Sequence, residues 1–500
     1  MDKNILDILS KIDINKIDYN DHKKVNNTFV CLFNVIEKMA ATNHKLSEEN
    51  QKLKDELNSL KGEKGKPKIK PNSKKKDNNK LSFLDKNKKK HKKESKKNKI
   101  LVDREEVIEV DKSCLPADAE FKGYKTKTIQ NIQIKTDNVL YKMECYYSKS
   151  ENKAYYGKLP EHLKNSEFGA ELKAFVYSLY YECRVTENKI VEILKTHNIK
   201  ISEGSVSNIL IHDKEEEFSN EKHTIFQTAL EVSEYQQVDD TGIRVNGVNH
   251  YATIFCNEYY SAFFIRRYKN RETVAKIIHG IDDEKEIDIT TLKILIKKLI
   301  ADDAPQFKEI SEYLGLCWIH EERHYEKLIP AVPHNKELLS NKIDQIWEYY
   351  KELKKYKENP IKSDKIRLIN EFDKIFLKTT GYDDLDNRLK LTYKKKERLL
   401  LVLDFPEIPL HNNMSEAGAR SIVTKRKISG GVRTNAGKIA WENALSIYET
   451  CKKNSINFYS HVLEIFKGNL NRLSLSNVIH ERSIKEKNKS KNLKLLDEIA

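Results

Sequence analysis

The spacing of apolar residues changes abruptly along this chain, and each change predicts a different element. Leu32, Met39, Leu46, Leu53 and Leu60 fall seven apart, with Ile36, Asn43, Asn50 and Leu57 at the other seam position. That is a coiled-coil heptad pattern, and Asn at seam positions fixes register and favours a parallel dimer. The alternative is one amphipathic helix packed on its own body. The coiled coil is preferred because the next segment offers nothing to pack against. Residues 63–100 are almost devoid of apolar side chains and read as a disordered linker. TIQNIQIK (128–135) then alternates and NVLYKMECYY (138–147) is rich in β-formers, which predicts a small β-rich unit over 101–160.

From Glu167 the period becomes helical. FGAELKAFVYSLYYE gives one helix and TENKIVEILKTH a second, opening at Thr186. A third, SEGSVSNILI, opens at Ser202 and turns Val206, Ile209 and Leu210 inward. Helix, short turn, helix is a helix-turn-helix pattern, placed at 161–215. On it, Ser205, Ser207 and Asn208 would face a DNA groove.

Strand-like runs follow at YQQVDDTG (235–242), HYATIFCN (250–257) and SAFFIRRY (261–268), then a helix at RETVAKIIHGI. KKLIADDAPQF (297–307) predicts a further strand, QFKEISEYLG a helix and LCWIH (316–320) a last short strand. This succession is that of a ribonuclease-H-like α/β core, assigned to 216–466. A helical insertion occupies about 326–402, since Leu339, Ile343, Ile346, Tyr350 and Leu353 step four, three, four, three. Residues 1–62 form the N-terminal helices and coiled coil, and 467–500 a loose basic tail.

Charge sharpens this division. Lys61 to Lys99 holds 18 lysines against four acids, nearly the whole of the net +15 of the 500-residue chain. Such a tether attracts phosphates, or serves as a solvated spacer. The seven cysteines include no Cys-x-x-Cys, which argues against a zinc ribbon and against a secreted disulfide framework. No apolar run approaches the ~18 residues of a membrane span, and the first residues do not read as a signal peptide. A cytoplasmic, nucleoid-associated protein is expected. No GxxxxGK loop suggests ATP, and Gly430-Gly431 reads as a turn.

Asp239 and Asp302 stand where predicted strands end, which is where ligands bind in open α/β sheets. Carboxylates there can hold paired Mg²⁺ or Mn²⁺ ions for phosphoryl displacement. Glu416, in HNNMSEAGAR, is the third candidate, near a helix start that Asn412 or Asn413 caps, with Arg420 one turn on.

YQQVDDTGIRV, LIADDAPQF, CWIHEERHYEKL and HNNMSEAGARSIVTKRKISGGVRTNAGKIAWENALSIYETCKKN resemble, in order, blocks of the insertion-sequence transposases of the IS66 family. The resemblance spans roughly Phe168 to Phe466. It implies a DDE transposase of ribonuclease-H-like fold that binds the ends of its element, cleaves them with Mg²⁺ or Mn²⁺ and joins them to target DNA. It assigns the catalytic metal ligands to Asp239, Asp302 (with Asp303 as possible substitute) and Glu416. The Cys-Trp-x-His-x-x-Arg block falls on Cys317, Trp318, His320 and Arg323, making His320 and Arg323 supports of the metal site. The basic run falls on Arg420, Lys425, Arg426 and Lys427, expected to contact DNA phosphates. Two departures stand out. His411 replaces the usual Asp, and the segment before the helix-turn-helix keeps only Cys114 and Cys145 of a cysteine module, so no zinc is expected there.

Two other classes compete. His320-Glu321-Glu322-Arg323-His324 satisfies the HExxH zinc-peptidase signature. It lies inside a block that the transposase reading already accounts for, and its third ligand is not evident. A DNA-binding protein descended from a transposase but catalytically silent would have lost a triad acid, and all three are present.

Overall fold

The computed structural model describes residues 21–60, 101–111, 115–116, 119–160 and 166–486. The predicted linker, Cys114 and residues 487–500 therefore lie outside the described residues. The chain divides into two units, residues 1–47 with 138–500, and residues 48–137. Helix α1 (His22–Leu60) begins in the first and ends in the second.

In the second unit, the described residues from 101 to 137 carry no regular element. The alternating run 128–135 forms no strand, because a strand needs a hydrogen-bonded neighbour and a face to bury. Ile129, Ile132 and Ile134 are all exposed. The predicted β-rich unit reduces to one antiparallel hairpin, β1 (Cys145–Ser148) and β2 (Lys153–Tyr156), in the first unit.

Helices α2 (Ala170–Tyr181), α3 (Glu187–Thr196) and α4 (Glu203–Ile211) follow the predicted spans. Ser202 caps α4 by accepting from the Ser205 N–H at 3.0 Å, and Val206, Ile209 and Leu210 are buried. Tyr177 of α2 stacks on Phe218 of α5 (Glu215–Val232) at 4.6 Å. The three-helix unit thus shares one apolar core with the sheet.

That sheet is β3 (Gln236–Val245), β4 (Val248–Cys256), β5 (Ser261–Arg266), β6 (Ile296–Ala301) and β7 (Ser311–Leu316), with α6 (Arg271–His279) between β5 and β6. Its order is β5-β4-β3-β6-β7. The first three strands are antiparallel, and β6 and β7 run parallel to β3.

No α-helix separates β6 from β7. The run predicted as a helix is a 3₁₀ turn, Pro305–Phe307, and then β7. The predicted last strand gives way to α7 (Trp318–Glu326). Long-range pairing overrides local pattern here. Residues Ile296 to Ala301 pair in register with Ser311 to Leu316, and Gly315 leaves room for Ile300, whose Cδ1 would lie 2.7 Å from a Cβ.

Helices α7, α8 (Pro333–Glu358), α9 (Lys362–Phe376), α10 (Asp383–Tyr393) and α11 (Lys396–Leu399) form the insertion, with its own core around Trp318, Tyr349, Phe372 and Phe376. Then α12 (Asn413–Ser429), α13 (Asn435–Lys453) and α14 (Phe458–Phe466) return to the sheet. On α13, Glu442, Ser446 and Thr450 recur every fourth residue and accept from the N–H groups of Ile265, Phe263 and Ser261. They cover the open edge of β5, which would otherwise invite pairing with another chain. The tail is not loose throughout: residues 475–486 are helical, and Leu475 and Ile479 are fully buried.

The start of α1 packs on the insertion. The buried carboxylate of Glu37 accepts from the N–H groups of Ala331 (2.7 Å) and Val332 (2.9 Å) and from Asn335 Nδ2 (3.1 Å). Asn34 donates to the Gly381 carbonyl and accepts from the Asp383 N–H. Both reside on the helix side about half a turn from the Leu32–Ile36–Met39 seam, which leaves Ile36, Met39, Leu46, Leu53 and Leu57 exposed. Among the described residues, no helix is long and apolar enough to cross a membrane.

Candidate active site

β3 pairs with β6 through Gln236↔Leu299 and Gln237↔Ile300. Continuing that parallel register two residues further sets Asp239 beside Asp302, on strands about 4.8 Å apart. The two acids are 63 positions apart in sequence, Asp239 inside β3 and Asp302 the first residue past the end of β6. Helix α12 brings the third acid. Its N-cap, the buried Asn412, donates to the Val238 carbonyl (2.7 Å), and the Met414 N–H donates to Gln237 Oε1 (3.2 Å). The helix start is thereby fixed over β3, with Glu416 in its first turn. Gly418 allows close approach, since a Cβ there would meet Ile254 at 3.0 Å.

Asp239 feels the other two carboxylates. Burial pushes the Asp239 carboxyl up to about 7, with Asp302, Asp240 and Glu416 adding repulsion against a hydrogen bond from the Asp240 N–H. Asp302 is raised too, chiefly by burial. As placed, they do not converge on a single chelating point among the described residues. Glu416 instead faces Arg323, whose Nη1 and Nη2 each stand 3.3 Å from one of its oxygens, and His320 Nε2 at 3.5 Å.

The second member of each acid pair is occupied elsewhere. Asp240 pairs with Lys269 at 2.8 Å and accepts from Gln306. Asp303 pairs with Lys395 (2.9 Å) and Arg398 (2.8 Å). Burial alone would raise Asp303, but these cations hold it below the usual carboxylate range.

The Cys-Trp-x-His-x-x-Arg block has a structural logic that spacing does not reveal. Cys317 Sγ accepts from the Asn412 N–H at 3.3 Å, the Trp318 N–H donates to the Leu410 carbonyl, and the Trp318 indole donates to the Leu399 carbonyl. These contacts join α7 to the start of α12, which is why His320 and Arg323 meet Glu416. Burial lowers the pKa of His320, and its Nδ1 has no hydrogen-bond partner. His411 is half-buried beside Asn412, its Nδ1 likewise unpartnered. In the HExxH signature, Glu321 is bound by Arg388, by Thr392 Oγ1 (2.6 Å) and by Lys395 (2.9 Å). A carboxylate held by three donors is a brace rather than a base for activating water.

The predicted DNA contacts separate into two groups. Arg420 and Lys427 are exposed on α12, as is Asn208 on α4, while Ser205 and Ser207 are half-buried. Ser205 Oγ lies 2.9 Å from Ser202 Oγ. Arg426, though exposed, donates to the Gly242 carbonyl at 2.8 Å. Lys425 donates to Tyr180 Oη at 2.6 Å, and its ammonium lies 4.3 Å from that ring's centre, tying α12 to α2.

These features define a mixed α/β protein with one carboxylate inside a strand, a second just past the end of the adjacent parallel strand and a third on a facing helix. The expectation that Asp239 ends its strand is corrected, since pairing with β4 carries β3 on to Val245. A sequence model of the IS66 transposase family matches residues 165–440, and the chain belongs to that family. It is also 39% identical over 164 residues to the uncharacterized protein y4jO of Sinorhizobium fredii (strain NBRC 101917 / NGR234), over 33% of this chain and 50% of that protein. The chain thus spans about half the length of this curated relative.

Proposed function

We propose that the chain is a DDE transposase. It binds the terminal repeats of its own mobile element, hydrolyses the phosphodiester at the element end and joins the freed 3′-hydroxyl to target DNA. The observation that carries this reading is the juxtaposition of Asp239 and Asp302 on adjacent parallel strands with Glu416 beside them. An antiparallel triplet followed by two parallel strands supports the ribonuclease-H-like reading of the core.

The donor set fits Mg²⁺ or Mn²⁺, which are hard cations that take carboxylate oxygens. Burial of Asp239, with like charge from Asp302, Asp240 and Glu416 added to it, is the electrostatic condition that such a cation relieves. Asp239, Asp302 and Glu416 would hold the ions. When bound, they supply nucleophile activation and leaving-group stabilisation. Arg420 and Lys427 are free to meet phosphates. Lys425 and Arg426, already engaged, would hold α12 in place while adding positive field. Ser205, Ser207 and Asn208 would contribute to recognition of the repeat.

A second copy of the chain is the expected protein partner, through the heptad seam of α1. Beside the seam, Glu49 and Glu56 precede Lys54 and Lys61 by five residues. In a parallel pair this spacing sets Glu of one copy against Lys of the other, whereas an antiparallel pair would oppose like charges.

Asp239→Asn, Asp302→Asn and Glu416→Gln test the reading on a labelled element-end duplex with Mg²⁺ or Mn²⁺. Each should abolish cleavage and joining while leaving binding to the duplex intact. Asp240→Asn and Asp303→Asn should lose no more than about tenfold, the lower end of what a supporting partner of a metal ligand contributes. Near-normal cleavage by Glu416→Gln would reject the triad.

A further inference from the structure

We infer that Lys395, in the helical insertion, is a positioning residue for the candidate catalytic carboxylates. Its ammonium is 2.9 Å from Asp303 Oδ2 and 2.9 Å from Glu321 Oε2, with a side chain only 12% exposed. Asp303 immediately follows Asp302, and Glu321 immediately follows His320, which faces Glu416. One cation therefore joins the end of β6 to the helix that carries the Glu416 partners.

The surrounding groups converge on the same purpose. Arg398 takes the other oxygen of Asp303 at 2.8 Å. Arg388 and Thr392 Oγ1 take the other oxygen of Glu321, and the Tyr325 hydroxyl lies 2.6 Å from Thr392 Oγ1. Arg388, Thr392 and Lys395 recur at helical spacing on α10 and the turn after it, so one stripe of the insertion holds the Glu321 carboxylate, and its last member, Lys395, holds that of Asp303 as well. Two carboxylates this close repel each other, and the intervening cation sets their separation. Without it, Asp303 and Glu321 move apart and carry Asp302 and His320 with them. A catalytic carboxylate displaced by about 1 Å loses much of its effect. This also gives the HExxH glutamate a purpose that needs no zinc.

The inference rests on the reading of Asp239, Asp302 and Glu416 as metal ligands, and the test separates the two. Free Mn²⁺ is followed by its electron paramagnetic resonance signal as it is titrated into the full-length protein without DNA. Cleavage of the element-end duplex and thermal unfolding are measured alongside. Lys395→Met should raise the half-saturating Mn²⁺ concentration about tenfold and slow cleavage by a similar factor, as loss of a group that orients metal ligands does. Lys395→Arg should restore most of both. Glu321→Gln, which keeps the shape of the side chain, should shift Mn²⁺ binding in the same direction and serves if Lys395→Met fails to fold.

Unchanged Mn²⁺ binding in folded Lys395→Met and in Glu321→Gln, beside loss of binding in Asp302→Asn, would overturn the positioning role alone. Equal Mn²⁺ binding by wild type and Asp302→Asn would overturn the metal-site reading and this inference with it.

Discussion

Arg323 faces both oxygens of Glu416, one guanidinium nitrogen to each at 3.3 Å, so the third acid of the cluster is matched by a cation across from it. Arg323 is 45% exposed, and a pair of this kind adds little to stability, typically 0–1 kcal/mol. Its effect should appear in metal binding. A guanidinium competes with a divalent ion for the same carboxylate, so Arg323→Gln should bind Mn²⁺ more tightly than wild type, with a Tm within a few degrees of it. Weaker Mn²⁺ binding would show that Arg323 organises Glu416 for the ion instead of competing with it.

Lys425 offers a prediction in pH. Burial lowers its pKa from 10.5 to about 8. Below about pH 8 the folded protein carries the full cost of a charged lysine in a half-buried site. As pH rises from about 8 towards 10.5, the folded state releases this proton first and stability rises, because the unfolded chain binds more protons. Relative to Lys425→Met, wild type should therefore gain about 2 kcal/mol between pH 7.5 and 9.5. Urea denaturation at both pH values measures it, and a gap that does not move with pH would contradict the assignment.

Glu37 should decide whether the start of α1 stays on the insertion. Its carboxylate satisfies two backbone N–H groups at the entry to α8 and one side-chain amide. Glu37→Ala leaves these donors unpaired at about 1–3 kcal/mol. Hydrogen exchange over residues 22–41 should accelerate by about tenfold or more, while exchange in β3 and β4 stays the same.

The exposed seam gives a separate prediction. Leu46→Glu together with Leu53→Glu should convert a dimer into a monomer by analytical ultracentrifugation, without lowering the Tm of the α/β core. A wild-type chain that sediments as a monomer at tens of micromolar would remove the coiled coil.

What the sequence made legible was what strand ends and helix starts display locally. The apolar runs leading into Asp239 and Asp302 read as strands, but only β6 stops at its acid; β3 continues to Val245 because β4 pairs with it along its length, which no local pattern shows. The polar turn before Glu416 likewise announced a helix. The register that sets Asp239 beside Asp302 is a pairing between distant segments, and no local pattern encodes it. The same limit explains the errors. SEYLGL reads as part of a helix until β6 supplies its partner, and Ile129, Ile132 and Ile134 read as a strand although none of the described residues pairs with them. Lys425 reads as a phosphate contact because the position of Tyr180, 245 residues away, is set by tertiary packing. Glu442, Ser446 and Thr450 had a signal that was missed: polar residues four apart on an otherwise apolar helix face, as befits side chains that cap a strand edge.

The grip of Glu37 and Asn34 on the insertion leaves the opposite side of the start of α1 bare, and that changes what joins the start of this helix to the α/β core. Beyond the continuity of the chain itself, that attachment is a handful of hydrogen bonds near residues 331–335 and 381–383. Lengthening or shortening the sequence between residues 61 and 100 should then leave the start of α1 where it is. Two copies meeting through Ile36 and Met39 would each bring the insertion with them, held at the bolt of Glu37, as a blade follows its hinge pin.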